Sequence, residues 1–158
     1  MFEKTDFRKV KSFFLEAMKH GFVAAEPKGE AALPLVPGFK SYTYVKDNLK
    51  LVDTYFDGNH TGGMTIIWED GVPVWIMTFS GYYHLDEVPT LITALRTEYE
   101  KSRFNGGRGP NLFIDGARVY TNIVEESNFE SARGHERITD ENGKILGWHY
   151  YACGKLVR

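Results

Sequence analysis

The chain has 158 residues, a length that fits one domain (1–158) and buries roughly two thirds of its unfolded surface without covalent staples. Nineteen basic against 21 acidic residues leave a net charge of −2, which excludes a global field toward nucleic acid or anionic membrane, and the single Cys153 excludes a disulfide framework and every multi-cysteine metal motif. Met1 to Asp6 lack the apolar core of a signal peptide and no run reaches membrane-span length, so a cytoplasmic location is expected.

Thr5 or Asp6 is placed to cap a first helix whose Phe7, Val10, Phe13, Phe14, Ala17 and Met18 recur on one face. Gly21 ends it. Turn and breaker residues from Glu26 to Gly38 predict an exposed loop, a candidate lid. Short β-prone runs follow: Ser41 to Val45, a turn at Asp47-Asn48, Leu49 to Phe56, and a further hairpin turning at Asp70-Gly71. Asp86 is the expected cap of a second helix with Leu91, Ile92, Leu95 and Tyr99 on its buried face, and Asn105-Gly106-Gly107 stops it. Strands are then predicted over Ala117 to Val124, Phe129 to Thr139 and Lys144 to Val157, the last two turning at Asn142-Gly143. The order helix, strands, helix, strands predicts an α+β fold.

Two segments repeat one form. Gly63 to Gly81 and Gly134 to Gly154 each read Gly, β-prone run, acidic-plus-Gly turn, β-prone run, Trp, five residues, Gly. A period of about seventy residues is a whole supersecondary unit, so the expectation is an αβββ-type unit present twice (halves near 5–84 and 85–158), pseudo-twofold, with helices on one antiparallel sheet. With two-residue turns at Asp70-Gly71 and Asn142-Gly143, Trp75 faces Ile66 and Ile76 faces Thr65 in the first hairpin. In the second, Trp148 faces Arg137, His149 faces Glu136 and Tyr150 faces His135. Glu136 and His149 thus become the candidate acid/base pair, with Thr65 and Ile76 in their places in the first copy.

Aromatic residues make up 15% of the chain, which suits either half-buried sheet surface or an aromatic-lined concavity. Trp75, Trp148, Tyr82 and Tyr150 are candidate stacking surface for a ligand, with Arg108, His135, Glu136 and His149 to select it. The stretch Gly106 to Pro110 has the composition of an anion cradle but follows a helix C-terminus, where the dipole is negative; Arg108 alone remains able to grip an acidic group. Asp53, Asp57 and His60 could surround a divalent ion, but Asp57-Gly58-Asn59 is also what a tight turn wants, and Cys153 reads as a small apolar strand residue, so no metal is expected. Dinucleotide, phosphate-loop and nucleophile-elbow patterns are absent, and no cofactor is implied.

Phe14 to Ala17, Asp53 to Phe56, Pro73 to Gly81 and Gly134-His135-Glu136 together resemble a bacterial domain-of-unknown-function family, stand-alone or fused to helix-turn-helix regulators, with paired Gly-x-Glu strands and a pvWxMxYxG strand. The chain departs from that pattern at Thr65, where the first Glu is expected, and at Thr61, where Phe is expected. The resemblance implies a sensing role and carries no established activity. Three functions follow as expectations: a small-molecule-binding or sensor-like domain with an aromatic-lined pocket beside the 26–38 loop, a hydrolase or lyase using Glu136 and His149, and a homodimeric protein-interaction module. Nucleic acid is not an expected partner, because no second helix closely follows the first and there is no basic excess.

Overall fold

The structure is a computed structural model and describes residues 5–24 and 36–156. The candidate lid over Glu26 to Gly38 therefore lies, except for its last three residues, outside the described residues. Helix α1 (Phe7–His20) is followed by strands β1 (Lys40–Lys46), β2 (Leu49–Tyr55), β3 (His60–Glu69) and β4 (Val72–Tyr83). A 3-10 turn (Leu85–Glu87) leads into α2 (Val88–Glu100), and β5 (Leu112–Asp115), β6 (Arg118–Asn128), β7 (Ser131–Thr139) and β8 (Ile145–Lys155) complete the chain. The eight strands form one antiparallel sheet in the order β1-β2-β3-β4-β8-β7-β6-β5. Two four-stranded meanders, each preceded by a helix, thus join through their last strands.

Asp6 caps α1 by accepting a bond from the Arg8 backbone N–H, and Gly21 is its C-terminal cap. The expected cap of the second helix is corrected. Asp86 lies inside the 3-10 turn, whose own cap is the His84 ring accepting from the Asp86 N–H, and α2 starts two residues later without a side-chain cap. Both helices bury their apolar sides on one face of the sheet. Phe14 sits at the centre of that layer, with ring centroids 5.0 Å from Trp75, 6.0 Å from Phe104 and 6.0 Å from Phe129.

Alternation along the strands sends residues to one face or the other. In β8, Gly147, His149, Tyr151 and Cys153 point under the helices, while Trp148 and Tyr150 are exposed on the far face. Partner residues in β7 follow suit, with Glu136 and Ile138 inside. Gly81 holds the seam between the two meanders: a Cβ there would lie 1.9 Å from the Trp148 carbonyl oxygen, so only glycine lets β4 approach β8 this closely.

The second hairpin pairs as expected, with Glu136 opposite His149, Arg137 opposite Trp148 and His135 opposite Tyr150. Its turn is longer than two residues, since Thr139 pairs with Ile145, and a bulge on β8 restores the expected register beyond it. The first hairpin departs from expectation by one residue. Asp70 and Gly71, at φ of 51° and 80°, do form the two-residue turn, but a bulge follows it, so Ile67 faces Trp75 and Ile66 faces Ile76. Thr65 consequently faces Met77.

Candidate functional site

Glu136 and His149 are cross-strand neighbours on the helix-covered face, where Glu136 is 0% and His149 3% exposed. No water reaches that carboxylate, so its charge needs partners within the protein. Arg108 supplies the cation. Gly106 and Gly107, at φ of 64° and 78°, bend the chain after α2 so that it crosses the sheet face tightly enough for a Cβ on Gly106 to lie 2.6 Å from the Tyr151 hydroxyl. That path carries the Arg108 side chain inside, where Nη2 donates to Glu136 Oε1 at 2.5 Å and Nε donates to the same oxygen at 3.1 Å. Tyr120 Oη donates to Glu136 Oε2 at 2.5 Å, and His149 Nδ1 lies 3.1 Å from Oε1.

Burial alone would raise the Glu136 carboxyl, but the Arg108 guanidinium and the His149 ring outweigh it and hold the group down at about 2. Desolvation likewise opposes the charge on Arg108, and the Glu136 carboxylate more than restores it. His149 is shifted the other way: burial pushes it below the usual imidazole range, against the pull of Glu136. A neutral ring carries one proton, which we assign to Nδ1 because the Glu136 carboxylate, which can only accept, lies nearer to it, at 3.1 Å, than the Arg108 Nη2 donor at 3.4 Å. Nε2 is then a bare acceptor.

Beside this cluster the helix layer and the sheet leave a cavity of about 70 Å3, space for roughly five waters. Phe22, Tyr55, Phe79, Leu91 and Tyr99 form its walls, and Asp53, Thr65, Arg108 and His149 supply polar groups. The exposed lining residues Phe56 and Leu85 mark its mouth. Two buried side-chain atoms belonging to lining residues, Tyr83 Oη and His149 Nε2, have no hydrogen-bond partner among the described residues. A buried polar atom left without a partner costs about 1–3 kcal/mol.

Asp53 is a cavity residue that the sequence does not single out: it falls within the strand predicted over Leu49 to Phe56 and in the set with Asp57 and His60 from which no metal is expected. Those three diverge: Asp57 pairs with Lys40 at the surface, the His60 ring packs on Tyr82, and Asp53 is buried and accepts from Thr65 Oγ1 at 2.8 Å. Its signal was present in β2, where Leu49, Leu51, Asp53 and Tyr55 share one face and an acid interrupts an apolar series. Tyr83 and Phe79 extend the Trp75 and Met77 alternation in the same way. Among the described residues no group of three His, Cys, Asp or Glu is placed to hold a metal ion.

Of the residues singled out from sequence, Glu136, His149 and Arg108 converge and the rest do not. Trp75 is 0% exposed and belongs to the core, stacked on Phe129 with centroids 4.9 Å apart and donating Nε1–H to the Phe129 carbonyl at 2.7 Å. Tyr82, Trp148, Tyr150 and His135 lie on the opposite face of the sheet, where Trp148 and Tyr150 pack edge to face and His135 lies beside Tyr150 and Arg137. Alternation forces this separation: residues next to each other in a strand point to opposite faces, so Trp148 and Tyr150 cannot share a site with His149. Cys153 is buried, and its thiol is pushed up to about 12 by that burial, as befits a small apolar residue.

Burial pushes the Asp53 carboxyl up to about 6, against the opposing effects of Thr65 and Arg108. The folded protein therefore holds this proton to higher pH than the unfolded chain does, and the associated stability is whole below the ordinary carboxylate range and lost as pH rises through 6. Asp53→Asn keeps an acceptor for Thr65 and removes the titration. It is expected to exceed the parent in stability by about 1–3 kcal/mol at pH 7.5 and to match it near pH 4. Urea unfolding at the two pH values checks this; a difference that does not grow with pH rejects it.

Among the described residues no helix is long and apolar enough to cross a membrane. No curated protein and no solved structure matches the chain at a significant level. The model of one family matches residues 53–156, a span that begins at Asp53 and contains Arg108, Glu136 and His149, and by that match the chain belongs to the family described as Domain of unknown function (DUF5680).

Proposed function

We propose that this chain is a small-molecule-binding, sensor-like domain whose ligand occupies the cavity beside the Arg108–Glu136–His149 cluster. One observation carries the reading: an aromatic-walled cavity whose lining residues include two buried polar atoms, Tyr83 Oη and His149 Nε2, without a hydrogen-bond partner among the described residues. The polar groups behind the cavity are fixed by mutual bonds, so a ligand meets a prearranged surface and spends little on ordering it. Thermal shift with a library of ring-sized fragments tests the reading. Several fragments are expected to raise the melting temperature of the parent, and Val88→Trp, which places an indole on the half-buried cavity wall, is expected to abolish the response. A parent that responds to no fragment, or a Val88→Trp variant that responds equally, would sink it.

A hydrolase or lyase is a second reading, favoured by the carboxylate on Nδ1 of His149 and the free Nε2 on its other side. Glu136, fully enclosed, would then orient the imidazole and not touch substrate, leaving His149 as the general base. The meander order is compatible with reading 5–84 and 85–158 as two copies of one helix-and-four-strand unit, although Trp75 and Trp148 pair one residue out of step with each other.

A further inference from the structure

We propose that the ligand of this cavity is a small organic cation, an amine with an apolar or aromatic body, held by the Asp53 carboxylate inside a ring of aromatic side chains. The inference rests on the binding-domain reading above and names its ligand class. It starts from charge. Arg108 lines the cavity but gives two of its five donors to one oxygen of Glu136, a carboxylate that lies behind the cavity and not in it. Asp53 lines the cavity itself, and among the described residues its hydrogen-bond donor is the neutral Thr65 hydroxyl. One cation thus serves two buried carboxylates. At neutral pH the set carries a net charge of −1, and a buried charge left uncompensated is costly.

The remaining polar groups agree with that sign. With the Nδ1 proton directed to Glu136, His149 Nε2 presents a lone pair, and Tyr83 Oη is free to accept. Asp53 and His149 thus call for hydrogen-bond donors, of which an ammonium group has three, while the Tyr83 hydroxyl both accepts and donates. Tyr55, Phe79, Tyr83 and Tyr99 line the cavity, and the Arg108 guanidinium already lies over the Phe79 ring, 5.4 Å from its centroid, the arrangement in which an aromatic face stabilises a cation. An anionic ligand would have to share Arg108 with Glu136 and would meet Asp53 directly.

Three probes with one ring and different heads separate the possibilities: benzylamine, benzyl alcohol and benzoate, titrated into the full chain at pH 7.5 and followed by amide chemical shifts. Benzylamine is expected to bind at least tenfold more tightly than benzyl alcohol, and benzoate more weakly than either. Asp53→Asn is expected to bring benzylamine down to the level that benzyl alcohol shows with the same variant. A second test needs no variant, because lowering the pH to 5 protonates the Asp53 carboxyl and should weaken benzylamine severalfold in the parent without changing the alcohol. The groups facing that carboxyl are Tyr42 from β1, Tyr55 from its own strand, Thr65 from β3, Tyr99 from α2 and Arg108 from the loop, with His149 of β8 in the same cavity. Tighter binding of benzoate, or an amine preference that survives both Asp53→Asn and low pH, overturns the ligand class and leaves the binding site standing. Failure of all three probes, together with a silent fragment screen, overturns the site itself.

Discussion

Replacing Arg108 by methionine is expected to destabilise the protein by about 3–5 kcal/mol, the cost of leaving a buried carboxylate without its cation. The methionine fills much of the same volume, so packing is not the main loss. What is lost is the charge that holds Glu136 down at about 2 in a setting where the residue is 0% exposed. Glu136 should then take up a proton in the folded state near neutral pH. Because a raised folded pKa gives stability that is lost as pH rises, Arg108→Met should weaken further toward alkaline pH, opposite to the parent's dependence on this group, whose stabilising effect is lost as pH falls toward 2. The double variant Arg108→Met/Glu136→Gln removes the isolated charge and keeps partners for Tyr120 and His149. It is expected to recover at least about 2 kcal/mol relative to the sum of the two single changes. Chemical unfolding of the four proteins measures the cycle, and a loss below about 1 kcal/mol for Arg108→Met would show that the pair behaves as an exposed one.

The same cluster shows where sequence reading reaches its limit. Glu136 opposite His149 was legible, because strand alternation and a turn signal determine cross-strand neighbours over a short span. The burial of the pair was not, because it depends on a helix and a loop arriving from elsewhere in the chain. Arg108 stood out as a lone cation in a glycine-rich stretch, yet its partner lies 28 residues away, and no local pattern links them. In the first hairpin the identical procedure missed by one residue, since a bulge after the Asp70-Gly71 turn leaves no distinctive mark in the residues around it. Strand β5 escaped notice for a related reason: Leu112–Asp115 is four residues long and gains its partner, β6, only through a tight turn at Gly116. Asp53 lies within a predicted strand, and its burial depends on the helix layer that covers that face of the sheet, which no local pattern discloses.

Trp75→Ala is expected to cost about 3–5 kcal/mol, comparable to the Arg108 change but by a different route. The indole is fully buried, lies parallel to Phe129 with an interplanar angle of 3°, and touches Phe14 at the centre of the helix layer. Its truncation opens a cavity under α1 and orphans the Phe129 carbonyl. Trp75→Phe keeps a ring for the stack and loses the Nε1–H bond, so its cost should be nearer 1–2 kcal/mol. The pair of variants also separates two roles for this residue. As a core residue, Trp75 governs stability and leaves ligand affinity alone; as a stacking platform, it would govern affinity in a variant that remains folded. Trp75→Phe is therefore expected to bind benzylamine within twofold of the parent at a temperature where both are native. A tenfold loss of affinity with little change in unfolding midpoint would return Trp75 to the binding surface and require the cavity to extend toward Phe129.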